Sequence, residues 1–170
     1  MRIRMSSRDI NLLVPELKTL CALHIDACAK VNLRIIITCT ARFYKEQVAL
    51  FAQGRQILED VNTLRKLANM QVITGLENEH KVTWTLNSKH LINLDDSDQF
   101  NDFSRAYDIA VVDYSGKAMY DVKVSVNNNE IPDYREVGEI GEKLGLKWGG
   151  KFRDKHGNLR PDYPHFELCK

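Results

Sequence analysis

Five histidines and a scatter of carboxylates supply the residue types that could do chemistry in this 170-residue chain. Two of the histidines stand out by their surroundings. His90 follows Thr85-Leu-Asn-Ser88, the end of a stretch whose alternation predicts a strand over 81–86, so its side chain projects from a sheet rim. His165 sits in Asp162-Tyr-Pro-His165-Phe-Glu167. Pro164 stiffens the approach to it, and a strand there puts His165 and Glu167 on one face. Asp108 lies in Arg105-Ala-Tyr-Asp108-Ile-Ala on another predicted strand, where an acid amid apolar neighbours needs a partner. Two histidines and a carboxylate make a catalytic zinc site, with the fourth position open to water. By residue type alone the three are equally compatible with unrelated polar roles. The other histidines read as structural. His24 falls on the apolar stripe of a predicted helix, while His80 and His156 fall in polar, solvated loops.

Cys21, Cys28, Cys39 and Cys169 show no C-x-x-C pairing. Cys21 and Cys28 are separated by roughly 10 Å along a helix axis, beyond the reach of a disulfide, and buried free thiols are expected. Lys plus Arg number 24 and Asp plus Glu 23, for a net charge of +1. That balance gives no electrostatic footprint for nucleic acid or an anionic membrane, so neither is expected as a partner. Apolar residues make up 44% and charged residues 28%, which places the chain among globular domains rather than disordered ones. No apolar run approaches the ~20 residues of a membrane-crossing helix. The first residues, Met1-Arg-Ile-Arg-Met-Ser-Ser-Arg8, lack the apolar core of a secretory signal. Synthesis in the cytoplasm, with no signal peptide, is the expectation.

Leu13, Leu17, Leu20, His24, Cys28 and Val31 recur at helical spacing and predict a helix over 14–30, with Pro15 in its first turn. The β-branched run from Leu33 to Thr40 predicts a buried strand. Helices follow over 44–53, stopped by Gly54, and over 56–70. Strands are predicted over 81–86, 105–112 and 164–168, and a loop over 126–132. Val137, Ile140 and Leu144 mark a last helix, with Asp133 as its N-cap and Gly145 at its close. The sum is a single α+β domain over 1–170, a small, mostly antiparallel sheet with helices packed on it.

Four stretches, in order, resemble one family. Thr40-Ala-Arg42-Phe-Tyr-Lys-Glu46-Gln47, continuing to Gly54-Arg55, looks like a stretch of phage L-alanyl-D-glutamate endopeptidases, zinc peptidases related to D-alanyl-D-alanine carboxypeptidases. Val82-Thr-Trp84 through Ser88-Lys-His90 resembles the segment leading to their first zinc ligand, and Ser104-Arg-Ala-Tyr-Asp108 the segment with the second. Trp148-Gly-Gly150, then Asp162-Tyr-Pro-His165-Phe-Glu167, resembles the closing motif with the third. His90 and Asp108 lie eighteen positions apart, eleven more than the family's pattern, so an insertion falls at about 91–103.

The resemblance implies Zn²⁺ held by His90, Asp108 and His165 at the sheet rim. It implies Asp162 as the catalytic base, with Glu167 as the alternative, and Arg42 as the donor that steadies the oxyanion. Ser88, Gln47 and Tyr44 are candidate substrate contacts; Ser88 is equally placed to hold the His90 loop, and Gln47 and Tyr44 are by default helix-surface residues and only candidates for the cleft wall. The implied activity is that of a bacteriolytic endolysin, a monomer that reaches the wall after membrane damage and cuts the L-alanyl-D-glutamate bond of peptidoglycan stem peptides. A D-alanyl-D-alanine carboxypeptidase or dipeptidase, or a non-catalytic zinc-binding wall module, are the alternatives. Within the insertion, Asp95, Asp96, Asp98 and Asp102 form an oxygen-rich loop of the kind that can hold Ca²⁺, although Phe100 stands where an EF-hand needs glycine. A plain solvated loop is the competing reading.

Overall fold

The computed structural model describes residues 7–93 and 102–169. Its strands are β1 (Arg34–Cys39), β2 (Ala106–Val112), β3 (Ala118–Met119), β4 (Leu146–Trp148) and β5 (His165–Leu168). They form one antiparallel sheet in the order β1-β2-β5-β4, with β3 also paired to β2. Its helices are α1 (Pro15–Ala29), α2 (Tyr44–Ala52), α3 (Leu58–Leu67), the single turn α4 (Gly75–Asn78) and α5 (Asp133–Lys143).

Period-two alternation divides β2 between two jobs. Tyr107, Ile109 and Val111 face a core built with Leu17, Cys21 and Cys28 of α1 and Val137 of α5, whereas Asp108 faces the other way. The pairing partners keep the same division. Tyr107 is opposite Phe166 in the core, the two rings stacked at 5.6 Å, and Asp108 is opposite His165. On the other side, Ile35 and Ile37 pair with Val111 and Ile109, and then the register slips between Ile37 and Cys39. One extra residue moves a strand's side chains to the opposite face, so this bulge brings Cys39 beside Asp108 instead of into the core.

α5 lies close to the sheet because its contact positions are small. Neither Gly138 nor Gly141 has room for a Cβ: Gly138 abuts the Trp148 ring and Gly141 the Phe166 ring. His24 is the core histidine that its helical stripe predicts, with no exposed surface. The Val137 carbonyl can only accept, so His24 donates to it from Nε2 (2.9 Å) and accepts at Nδ1 from the Tyr107 hydroxyl (2.8 Å). His24→Ala leaves both partners unsatisfied beside a cavity and is expected to cost about 3 kcal/mol in a denaturant titration. Burial lowers the His24 pKa, and the bond to Val137 opposes that only in part. The neutral ring's stabilisation is therefore full above about pH 6.5, the unfolded value, and is lost as pH falls below it. His90 and His165, whose pKa values are raised, act in the opposite sense, so the effect is read as a difference: relative to His24→Gln, whose amide does not titrate, the wild-type denaturation midpoint should drop between about pH 7 and pH 5.

Several predicted elements need correction. The third helix is shorter than 56–70 because Asn69 takes a left-handed conformation (φ 57°) just after it, and α4 stands apart from it. Asp133 is the first helical residue, not the N-cap; Pro132 occupies the cap, and both Asp133 oxygens accept from the Val126 N–H at 2.9 and 3.0 Å. The stretch 81–86 is not a strand. Side chains bind its carbonyls instead: Gln47 Nε2 donates to Thr85 O at 2.6 Å and Arg55 to Thr83 O at 3.0 Å. β4 went unforeseen, being too short for its alternation to register. Cys21, Cys28 and Cys39 are buried free thiols, as expected, and Cys169 is free but exposed. Of the acidic insertion, Asp95, Asp96 and Asp98 lie outside the described residues, and calcium there finds no support. No helix among the described residues is long and apolar enough to cross a membrane.

Candidate metal and catalytic site

His165 and Glu167 share the Asp108 face of the sheet, and Lys147 of β4 sits opposite Glu167. His90 reaches the same place from a loop that is pinned by backbone bonds. The Lys89 carbonyl accepts from the Arg105 N–H (2.9 Å) and the His90 carbonyl from the Arg42 N–H (2.8 Å). Ser88 Oγ accepts from the His90 N–H at 3.2 Å, so Ser88 holds the His90 turn while also facing the cleft. These bonds hold His90 and Asp108 in contact although they lie eighteen positions apart in the chain.

The three side chains meet in a near-equilateral triangle. His90 Nε2 to Asp108 Oδ1 is 3.1 Å, His165 Nδ1 to Asp108 Oδ1 is 3.1 Å, and His90 Nε2 to His165 Nδ1 is 3.2 Å. Tetrahedral ligands held at 2.0–2.1 Å from zinc stand roughly 3.3 Å apart, so these donors fit that ion with little movement. The far nitrogens are also engaged. His90 Nδ1 donates to the Thr40 carbonyl (3.2 Å), which turns Nε2 toward the triangle, and His165 Nε2 donates to Glu167 Oε2 (3.1 Å). Cys39, His90 and Asp108 form a second grouping with metal-ligand chemistry. Cys39 Sγ, however, lies 3.8 Å from His90 Nδ1, the nitrogen that faces Thr40.

The electrostatics of the triangle favour a cation. Burial alone would keep His90 neutral, but the Asp108 charge and hydrogen bond reverse this and push its pKa to about 10. Burial likewise opposes ionisation of Asp108, yet the His90 charge and the bonds from both histidines hold its carboxyl far below the carboxylate range. Glu167 is partly desolvated but is brought down to about 2 by His165 and Lys147 (2.9 Å). Such a pocket gathers protons, or exchanges them for a metal ion.

Around the triangle lies a cleft of about 990 Å³, with Thr83, Trp84 and Ser88 on one wall and Phe152, Arg153 and Arg160 on the other. Arg42 lines it and donates from Nη2 to Asp108 Oδ2 at 3.1 Å. Asp162 lines it too. Its carboxylate makes no hydrogen bond or ion pair among the described residues, and desolvation together with the Asp108 charge raises its pKa. The Trp148-Gly-Gly150 motif positions that segment. Trp148 Nε1 donates to the Tyr163 carbonyl at 2.9 Å, and a Cβ on Gly149 would strike the Asp162 carbonyl and the His165 side chain.

Residues 101–168 match the D-alanyl-D-alanine carboxypeptidase family, a stretch that contains Asp108, Asp162 and His165. Over that stretch the chain is similar to this peptidase family. It is also 27% identical over 142 residues to the peptidoglycan L-alanyl-D-glutamate endopeptidase CwlK of Bacillus subtilis, a match covering 84% of this chain and 65% of that protein. The chain thus spans just under two thirds of the length of this relative. The fold is shared with the crystal structure of the L-Ala D-Glu endopeptidase ChiX of Serratia marcescens, at a TM-score of 0.52 and 14% identity, covering 98% of this chain and 90% of that one.

Neither of the two helix residues that were candidates for the cleft wall lines it. Gln47 is fully buried and cannot reach a substrate. Its amide nitrogen instead holds Thr83 Oγ1 (3.1 Å) and Thr85 O, and its oxygen faces Arg42 Nη1 at 3.5 Å, so it props the wall from behind. Tyr44 opens α2 and is exposed outside the cleft. Lys147, Phe152 and Arg160 were not singled out in the sequence. The basic spacing of Lys147, Lys151, Arg153, Lys155 and Arg160 was the available signal.

Proposed function

We propose that this protein is a zinc-dependent peptidoglycan endopeptidase, cutting the bond between L-alanine and D-glutamate in wall stem peptides. The observation that carries the reading is the His90–Asp108–His165 triangle at the floor of a cleft that also holds Arg42 and an uncommitted carboxylate, Asp162. The names of the two similar proteins support the choice of bond. Zinc held by the triangle would supply Lewis acidity, polarising the scissile carbonyl and bringing the attacking water's pKa toward about 7.

The remaining work falls to the chain's own groups. Asp162 takes the proton of the attacking water and later returns it to the leaving amine. The Arg42 guanidinium, fixed by Asp108 and Gln47, supplies a permanent charge for the oxygen that becomes negative. Glu167 fixes the tautomer and orientation of His165 through Nε2, and Lys147 holds Glu167 in turn. A bare metal-binding module needs neither an arginine nor a free carboxylate at its centre.

Purified sacculi treated with the protein should release stems bearing a new D-glutamate amino terminus, detected by mass spectrometry. Free D-alanine as the sole product would identify a carboxypeptidase instead. Firm wall binding with no covalent change would identify a non-catalytic module.

A further inference from the structure

We propose that Arg160 binds the α-carboxylate of the D-glutamate that leaves from the scissile bond. The proposal rests on the endopeptidase reading above. The two walls of the cleft differ sharply in charge. Between 147 and 160 stand Lys147, Lys151, Arg153, Lys155 and Arg160 against the single acid Asp154, in a chain whose net charge is +1. The facing stretch from Val82 to Ser88 carries no charge at all.

Most of the basic groups are already committed. Lys147 holds Glu167 at 2.9 Å, Lys151 holds Glu142 at 2.6 Å, and Arg153 donates to the Gly157 carbonyl at 2.7 Å. Arg160 differs. Only its Nε approaches an acid, Asp154 at 3.4 Å, and its two terminal nitrogens have no hydrogen-bond partner among the described residues. Its guanidinium lies over the Trp84 ring, 5.9 Å from the centroid, and both residues line the cleft, so the terminal nitrogens are presented there.

The chemistry of proton return places a carboxylate nearby. Asp162, two residues beyond Arg160, must lie against the leaving amine to protonate it. In an L-alanyl-D-glutamate bond that amine belongs to D-glutamate, whose chain continues through its side-chain carboxyl. The α-carboxyl on the same carbon is therefore spare, ionised unless it is amidated. A planar fork of donors beside Asp162 suits it, because guanidinium and carboxylate pair through two parallel hydrogen bonds.

The test uses the zinc-loaded full chain and two synthetic stem peptides, one with a free D-glutamate α-carboxylate and one with that group amidated. Wild type should cut the free acid at least about 10-fold better in kcat/KM. Arg160→Ala should lose about 10- to 100-fold on the free acid, mainly through KM, and little on the amide. Arg160→Lys should recover part of the loss. Lys89→Ala, which removes a cleft cation preceding His90, should keep the discrimination. Equal cleavage of both peptides by wild type, equal losses on both in Arg160→Ala, or loss of discrimination in Lys89→Ala would each overturn the proposal. Failure of wild type to cut either peptide would instead bring down the endopeptidase reading, and the proposal with it.

Discussion

His165→Ala is expected to lose its zinc and its turnover together. His165 Nδ1 stands 3.1 Å from Asp108 Oδ1 and 3.2 Å from His90 Nε2, so its removal leaves two donors where a catalytic zinc needs three. Elemental analysis of chelator-free wild type should find about one zinc per chain, and the variant should fall well below that. Activity should drop by at least about 10³-fold, because the Lewis-acid contribution is worth several kcal/mol. His90→Ala and Asp108→Ala should behave alike. Cys39→Ala discriminates between the two candidate ligand sets: its thiol lies toward the Nδ1 side of His90, so the variant should keep its zinc. Zinc lost in Cys39→Ala but kept in His165→Ala would assign the metal to Cys39, His90 and Asp108. Glu167→Ala should fall between these extremes, weakening metal affinity or activity by about 10- to 100-fold through a loosened His165.

How much of this was legible in the sequence depended on how local each signal was. The α1 stripe and the strands β1, β2 and β5 are written in side-chain periodicity, and they emerged within a residue or two of expectation. His165 and Glu167 share a face by strand geometry alone, so their joint orientation could be read from spacing. The link from His90 to Asp108 could not. It depends on backbone bonds from Lys89 and His90 to Arg105 and Arg42, and peptide groups leave no mark on the choice of side chain. The bulge that turns Cys39 toward Asp108 is hidden for the same reason. The stretch 81–86 misled because its alternation is real, yet its carbonyls are satisfied by Gln47 and Arg55 from outside any sheet. Gln47 misled in the opposite sense. A polar residue on a helix is ordinarily solvated, and only the packing of the wall over α2 buries it.

Asp162→Ala separates binding from chemistry, and its expected signature is full zinc occupancy with kcat reduced by about 10² to 10⁴-fold. The three other cleft acids are engaged: Asp108 holds His90, His165 and Arg42, Glu167 holds His165 and Lys147, and Asp154 accepts from the His156 and Asn158 N–H groups and lies 3.4 Å from Arg160 Nε. Asp108 and Glu167, held in their ionised form by cationic and hydrogen-bonding partners, are poorer bases for a water's proton than Asp162, whose pKa is raised. Among the described residues the Asp162 side chain has no hydrogen-bond or ion-pair partner, while its backbone is held firmly, its N–H donating to the Gly149 carbonyl (2.9 Å) and its carbonyl accepting from the His165 N–H (3.1 Å). The segment should therefore keep its place when the carboxyl is removed, and the ligands with it. KM should change little, since the lost interaction belongs to the transition state and not to substrate binding. Asp162→Asn, which keeps the shape and removes the base, should be nearly as impaired as the alanine variant. Near-normal kcat in Asp162→Asn, alongside an inactive but metal-loaded Glu167→Gln, would transfer the proton-handling role to Glu167.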